Sequence, residues 1–309
     1  MKKNKFYGNT MLFITALIWG SAFVAQSVGM DYVKPFTFTA VRSLIGGITL
    51  IPVIFLMDLL RKREGGTKKA GSRRDLMIGG VSCGIVLFVA SSFQQVGMSL
   101  GTPPGKAGFI TALYILVVPI IGLILKKPVR PILWLCVAAS ILGLYLLCTD
   151  GGLGSITTGD FLVFICAFCF AAHIQIIDYF SPKVDGVRMS CIQFFICGII
   201  SFFVMLFTEN PSMEALLAAK TSILYAGVMS SGVAYTMQIL GQKHTSPTVA
   251  SLIMSLESVF AVLAGIVILH QIPSLRDILG CIIMFTAIIV AQLPEKKSTE
   301  APLVQKPQA

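Results

Sequence analysis

The stretch 245–269, TSPTVASLIMSLESVFAVLAGIVIL, decides the fold. Apolar and small residues fill it from end to end, and one carboxylate, Glu257, sits at its middle. At about 1.5 Å per residue, a helix of this length matches the hydrocarbon core of a bilayer, about 30 Å thick. Glu257 then lies near the midplane, where a charge costs at least about 2.5–3.5 kcal/mol. Either it is a structural acid, neutral or hydrogen-bonded to serines of a neighbouring helix, or it is a substrate or proton site. An acid at this depth points first to function.

The rest of the chain has the same character. Of its 309 residues, 55% are hydrophobic and 12% charged, with a mean hydropathy of +0.85, too much apolar surface for a soluble domain to hide. Windows long enough to span a bilayer recur about ten times. They fall near 9–29, 35–60, 75–96, 103–125, 131–149, 159–180, 188–207, 220–240, 246–269 and 275–292. Most prolines lie at span ends; Pro52 and Pro119 lie inside, where kinks are expected. The first apolar segment is too long for a signal-peptide core and is read as retained.

The net charge of +10 reflects membrane orientation, not nucleic-acid binding. With the N-terminus inside, nearly all Lys and Arg fall in cytoplasmic segments. RKREGGTKKAGSRR (61–74) is the densest of these, and only Lys34, Lys220 and Arg276 fall in outer loops. That bias of about six to one sets both termini in the cytoplasm of a multi-pass cell-membrane protein. The basic loop is solvated and loosely attracted to anionic lipid. The tail PEKKSTEAPLVQKPQA (294–309) has the composition of a disordered cytoplasmic segment. The eight cysteines lie mostly in apolar spans; Cys166 and Cys169 form a CxxC without a second ligand pair and are read as packing residues. Three scattered histidines and the lack of HExxH, GxSxG or Walker patterns leave no enzyme constellation and no expected metal or cofactor. The fragment DGGLG (150–154) means only a turn.

Shifted by 143 residues, the chain matches itself without a gap. Gly84 meets Gly227, Gln95 meets Gln238, Thr102 meets Thr245, Pro104 meets Pro247 and Gly122 meets Gly265. A weaker match at a slightly larger offset pairs 16–26 with 167–175. The halves are therefore 1–149 and 150–293, five spans each. Five is odd, so the second half enters the membrane from the opposite side. The expected architecture is an all-α integral membrane protein of ten transmembrane helices in two inverted repeats, with a site near midplane between them. Tyr114 occupies the position of Glu257 in the first half, so the acid is not a symmetric scaffold requirement.

The chain resembles the EamA-type transporters of the drug/metabolite transporter superfamily. The resemblance rests on WGSAFVA (19–25), the Pro35…Arg42 pattern, TPPGKAGFITALYILVVPIIGL (102–123), GDFLVFICAFCFAAHIQIIDYF (159–180) and the 245–269 helix. Two departures stand out: KKPVR (126–130) follows the fourth span where such families often carry an acid, and Gln193 replaces the Arg42 of the first half. The resemblance implies outward movement of amino acids, other metabolites or drugs, without choosing among them.

Candidate site residues are polar and aromatic groups stranded in spans. Thr15, Trp19, Phe23 and Gln26 share one face of the first span, either lining a cavity or packing. Phe93, Gln94 and Gln95 approach the outer end of the third. Arg42 lies seven residues inside its helix, to snorkel, pair with an acid or meet substrate; Lys106 could draw in a carboxylate or reach headgroups. Tyr114 and Tyr235 offer hydroxyls, while His173 and Gln175 point about 200° apart, so only one can face a cavity squarely. Asp178 is near enough the inner end to be solvated. In the resulting reading Glu257 binds an amine or carries a coupling proton. Trp19, Phe93 and Tyr235 stack on the ligand, and Arg42 or Lys106 meets an anionic group. An amino acid or similar zwitterion is expected, with cationic drugs as the alternative and a sensor or scaffold as the remote one. Oligomeric state stays open between monomer and homodimer.

Overall fold

The computed structural model describes residues 2–63, 72–127, 129–148, 157–269 and 274–293. Most of the basic loop, DGGLG, His270 and the tail from residue 294 lie outside the described residues. Every regular element among the described residues is helical. Among the described residues, eight helical stretches are long and apolar enough to cross a membrane, from Asn4–Met30 to Pro247–Ile268. Two further apolar helices, α6 (Pro131–Cys148) and α14 (Leu275–Gln292), carry shorter apolar stretches, so eight long spans stand where ten were expected.

Helix α1 is Lys2–Met30, α2 is Pro35–Arg63 and α3 is Arg73–Ser99. The fourth span is broken into α4 (Pro104–Ala112) and α5 (Tyr114–Ile124) by a turn at Leu113. After α6 come α7 (Thr158–Phe180), α8 (Gly186–Thr208) and the short α9 (Met213–Ala218). The next span runs from α10 (Lys220–Tyr225) through a π-helical segment (Ala226–Ala234) into α11 (Tyr235–Gln242). The span that holds Glu257 is also broken, into α12 (Pro247–Met254) and α13 (Glu257–Leu269), at Ser255–Leu256.

The breaks do not fall at the interior prolines. Helix continues through Pro52 and Pro119, and the interruptions fall at Leu113 and Leu256, positions 143 residues apart. At both, i→i−3 bonds replace the α pattern: Leu113 and Leu256 donate to Ile110 and Ile253. Proline does its work at span starts, where Pro104 and Pro247 occupy first-turn positions that need no N–H donor.

Helices α2 and α8 pack along each other in opposite directions. At one end Glu209 accepts bonds from the Phe36 and Thr37 amides (2.9 and 2.7 Å) and the Thr37 hydroxyl (2.6 Å), capping the start of α2. At the other, Arg188 near the start of α8 donates to both oxygens of Asp58 (2.5 and 2.7 Å). Asp58 and Glu209 are 151 residues apart, so the larger of the two sequence offsets relates these contacts.

Close glycine contacts follow the same relation. A Cβ on Gly84 would lie 2.6 Å from Ile196 and 2.8 Å from the Gln193 carbonyl; one on Gly227 would lie 2.7 Å from Ile45 and 3.1 Å from the Arg42 carbonyl. Small residues let spans approach this closely in lipid, where no hydrophobic drive holds them together. Helix α3 thus packs on α7 and α8, while the π segment and α11 pack on α1, and the π segment also on α2.

Candidate functional site

The two helix breaks meet. The Tyr114 hydroxyl, at the start of α5, donates a 3.0 Å hydrogen bond to Glu257 Oε1, at the start of α13. These residues occupy matching positions under the 143-residue shift. Beside this contact lies a small cavity, with about 30 Å³ of space open to water.

Its walls come from both halves. Helix α1 supplies Trp19, Phe23 and Gln26, so the first-span stripe shares a cavity wall, except Thr15, whose hydroxyl turns to the Met11 and Ala234 carbonyls. Helix α2 supplies Arg42 and α3 supplies Gln94, whose amide donates to the Thr111 hydroxyl at 3.0 Å. Tyr114, Tyr235 and Glu257 complete the expected members. Tyr235 is the hub of an aromatic cluster, with ring centroids 4.6 Å from Trp19 and 5.3 Å from Phe194.

Three candidates lie elsewhere. Lys106 forms a 2.7 Å ion pair with the buried Asp160, which also accepts from Thr102 and caps the start of α7 with Thr157. That tie across helices holds the lysine away from the cavity. Phe93, one position round the helix from Gln94, packs against the apolar core. His173 stands edge-on behind Tyr235 (6.0 Å between centroids) with Nε2 3.1 Å from Gln193 Oε1. Gln175, its neighbour on the opposite face, donates to the Val118 carbonyl and accepts from Lys127, which pairs with Asp178 at 2.6 Å.

Three lining residues were absent from the sequence expectation: Thr111, Phe170 and Ser230. A signal existed for Phe170, which is Trp19 displaced by 151 residues. Thr111 lies one turn before Tyr114. Ser230 had no signal, because it shares the wall with Tyr235 through a π-helical bond in which the Tyr235 amide donates to the Ser230 carbonyl. A period of 3.6 places those residues on different faces; the wider turn brings them together, as π segments often do at functional sites.

The electrostatics are uncommon for a membrane interior. Glu257 is 3% exposed and Arg42 4% exposed, yet neither belongs to an ion pair among the described residues. Arg42 Nε, Gln26 Oε1 and Trp19 Nε1, all on cavity-lining side chains, have no hydrogen-bond partner. These atoms leave the cavity wall able to hydrogen-bond a polar guest. No cluster of three His, Cys, Asp or Glu suited to a metal occurs among the described residues.

A multi-pass membrane protein with a polar, aromatic-walled cavity buried between its helices is built as a membrane transporter. The chain belongs to the EamA-like transporter family, whose sequence profile matches residues 6–149 and 157–292. It is 28% identical to an uncharacterized transporter of Archaeoglobus fulgidus over 292 residues, covering 94% of this chain and 87% of that protein. It is 22% identical to the uncharacterized inner membrane transporter YedA of Escherichia coli (95% and 94% covered) and 23% identical to protein PecM of Dickeya dadantii (91% and 90%). A crystal structure of a protein 19% identical superposes with a TM-score of 0.71 over 92% of this chain and 97% of the other, a likeness of fold.

Proposed function

We propose that this chain exports a small zwitterion, an amino acid or close analogue, by alternating access through the cavity between its halves. One observation carries the reading: two buried groups of opposite charge, Arg42 and Glu257, line the same cavity without pairing with each other. A buried charge without a counter-charge is costly, so each is best accounted for by a ligand group of opposite sign. Arg42 takes the carboxylate, Glu257 the ammonium, and Trp19, Tyr235 and Phe170 the apolar body. The family resemblance supports the outward direction. Glu257 is also the group placed to carry a coupling proton.

The architecture within this reading is ten spans in two inverted five-helix repeats, 1–149 and 150–293, with both termini and the 294–309 tail cytoplasmic. The antiparallel α2 and α8, the matched breaks at Leu113 and Leu256, and the Tyr114–Glu257 contact all support it. Broken helices in corresponding positions of two halves are a recurrent transporter feature. The positive-charge bias supports the orientation. The partners are the substrate and the lipid bilayer, with no nucleic acid, no cofactor and no catalysed reaction.

A thermal-shift screen of the purified protein tests the substrate class. Stabilisation by amino acids and not by lipophilic cations supports the zwitterion. The reverse favours efflux of cationic drugs, with Glu257 as counter-ion among the aromatic rings. Flux in proteoliposomes that survives Glu257→Gln with unchanged rate and pH dependence overturns the role of Glu257.

A further inference from the structure

One span keeps the register of the repeat but not its helical geometry. The run from α10 to α11 matches α3 without a gap, Gly227 with Gly84 and Gln238 with Gln95. Yet α3 is α-helical throughout, and its counterpart is π-helical from Ala226 to Ala234. A helix closed by i→i−5 bonds turns less per residue than one closed by i→i−4 bonds, so the residues after it face another way. In an α-helix, side chains five residues apart point about 140° apart. Here Ser230 and Tyr235, joined by a π-helical bond, line one cavity wall. Their counterparts in α3, Leu87 and Ser92, do not line it.

The π segment rests on α2 at Gly46. A Cβ there would lie 2.6 Å from the Ser231 Cβ and 3.1 Å from the Gly227 carbonyl oxygen, too close without moving the segment. No rotamer change relieves such a contact, because the Ser231 Cβ is fixed to its backbone. The 151-residue offset that relates Arg42 to Gln193 also relates Gly47 to Gly198 and Gly46 to Cys197. Gly47 therefore recurs and Gly46 does not. Helix α8, packed on the regular α3, carries the buried Cys197 where α2, packed on the π segment, carries no side chain. The bare position goes with the wide helix.

The residue that the segment orients is Tyr235, whose ring centroid lies 4.6 Å from Trp19, 5.3 Å from Phe194 and 6.0 Å from His173. We propose that the π segment, seated on Gly46, is a positioning device that turns the Tyr235 ring into the cavity and so makes the site prefer ligands with a large apolar body. Gly46 acts only through Tyr235 and is a positioning residue. For its ligand the inference rests on the zwitterion reading and narrows it: among amino acids, those with large apolar side chains bind best. The placement of the ring does not depend on that reading.

The test has a spectroscopic arm and a ligand arm. Trp19 and Trp134 are the only tryptophans, so Trp134→Phe in the full-length protein leaves Trp19 as a single reporter beside Tyr235. Tyr235→Leu is expected to shift Trp19 emission, and Gly46→Ala to reproduce most of that shift. Ser231→Gly added to Gly46→Ala removes the 2.6 Å contact and restores both the emission and the melting temperature. Gly47→Ala, which meets only the Phe195 ring, leaves the emission unmoved. Emission that Tyr235→Leu or Gly46→Ala leaves unchanged overturns the proposal, as does an equal shift from Gly47→Ala. If Gly46→Ala does not fold, the double variant decides: native emission supports the device, and failure to fold again makes Gly46 a packing residue and overturns it. In the second arm, L-phenylalanine and L-alanine are titrated against the protein. Gly46→Ala weakens phenylalanine binding about fivefold, the weight of one aromatic pair, and leaves alanine binding unchanged. Equal weakening of both overturns the role in selectivity. If neither amino acid binds, the emission arm still decides the positioning of Tyr235, and only the zwitterion reading fails.

Discussion

The two broken spans make the same turn and carry opposite chemistry. Residues 104–124 place a neutral phenol, Tyr114, at the start of their second half-helix; residues 247–269 place a carboxylate, Glu257, at the matching point, and the two are hydrogen-bonded. The same contrast recurs one layer out, where Arg42 in α2 corresponds to Gln193 in α8. A shared scaffold with unlike residues at its axis teaches which features serve shape and which serve chemistry. The breaks, the glycine contacts and the matched carboxylates Asp58 and Glu209 recur in both halves and belong to the scaffold. Glu257 and Arg42 do not recur, and both face the cavity.

Substitutions can break that contrast. The largest effect belongs to Glu257→Gln, which keeps the hydrogen-bonding shape and removes the charge. Flux in proteoliposomes falls on the order of 100-fold, the scale for losing one member of a buried charge pair. Arg42→Met weakens binding of carboxylate-bearing ligands on the order of 10- to 100-fold by titration. It leaves the melting temperature equal or higher, because an apolar side chain replaces an unpaired buried cation. A fall in stability without loss of affinity would make Arg42 part of the scaffold.

Tyr114→Phe removes the contact between the half-helices and sharpens the comparison from its neutral side. A net loss of about 1 kcal/mol predicts about fivefold weaker binding, read from the same titration. The smallest effect is expected for Lys106→Met. The Lys106–Asp160 pair has no charged counterpart at the other end, where Val249 stands at the lysine's position. With the lysine 34% exposed, its loss lowers stability by no more than about 1 kcal/mol and leaves ligand affinity unchanged.

Much of the cavity wall was legible in the sequence, partly through the 143-residue self-match. Tyr114 and Glu257 matched in register before they were seen to touch, and Trp19, Phe23 and Gln26 lay on one face of one helix. The candidates that lie outside the cavity wall share a cause. Lys106, Phe93 and His173 are polar or aromatic groups in spans, as the lining residues are, and their partners Asp160, the apolar core and Gln193 come from distant segments. Ser230 was hidden by a local change of helical period, and the break at Leu113 had no proline to announce it.

The sequence by itself determined that the chain is a bundle of membrane helices, how its halves correspond and where its one odd acid lies. These follow from span length, register and the cost of charge in hydrocarbon, all properties of a segment taken alone. Only the tertiary structure decided which side of each helix faces the cavity. In a soluble helix the polar face announces the outside. In a bilayer, lipid and protein interior are equally apolar, so no periodic signal distinguishes the lipid-facing side from the packed one.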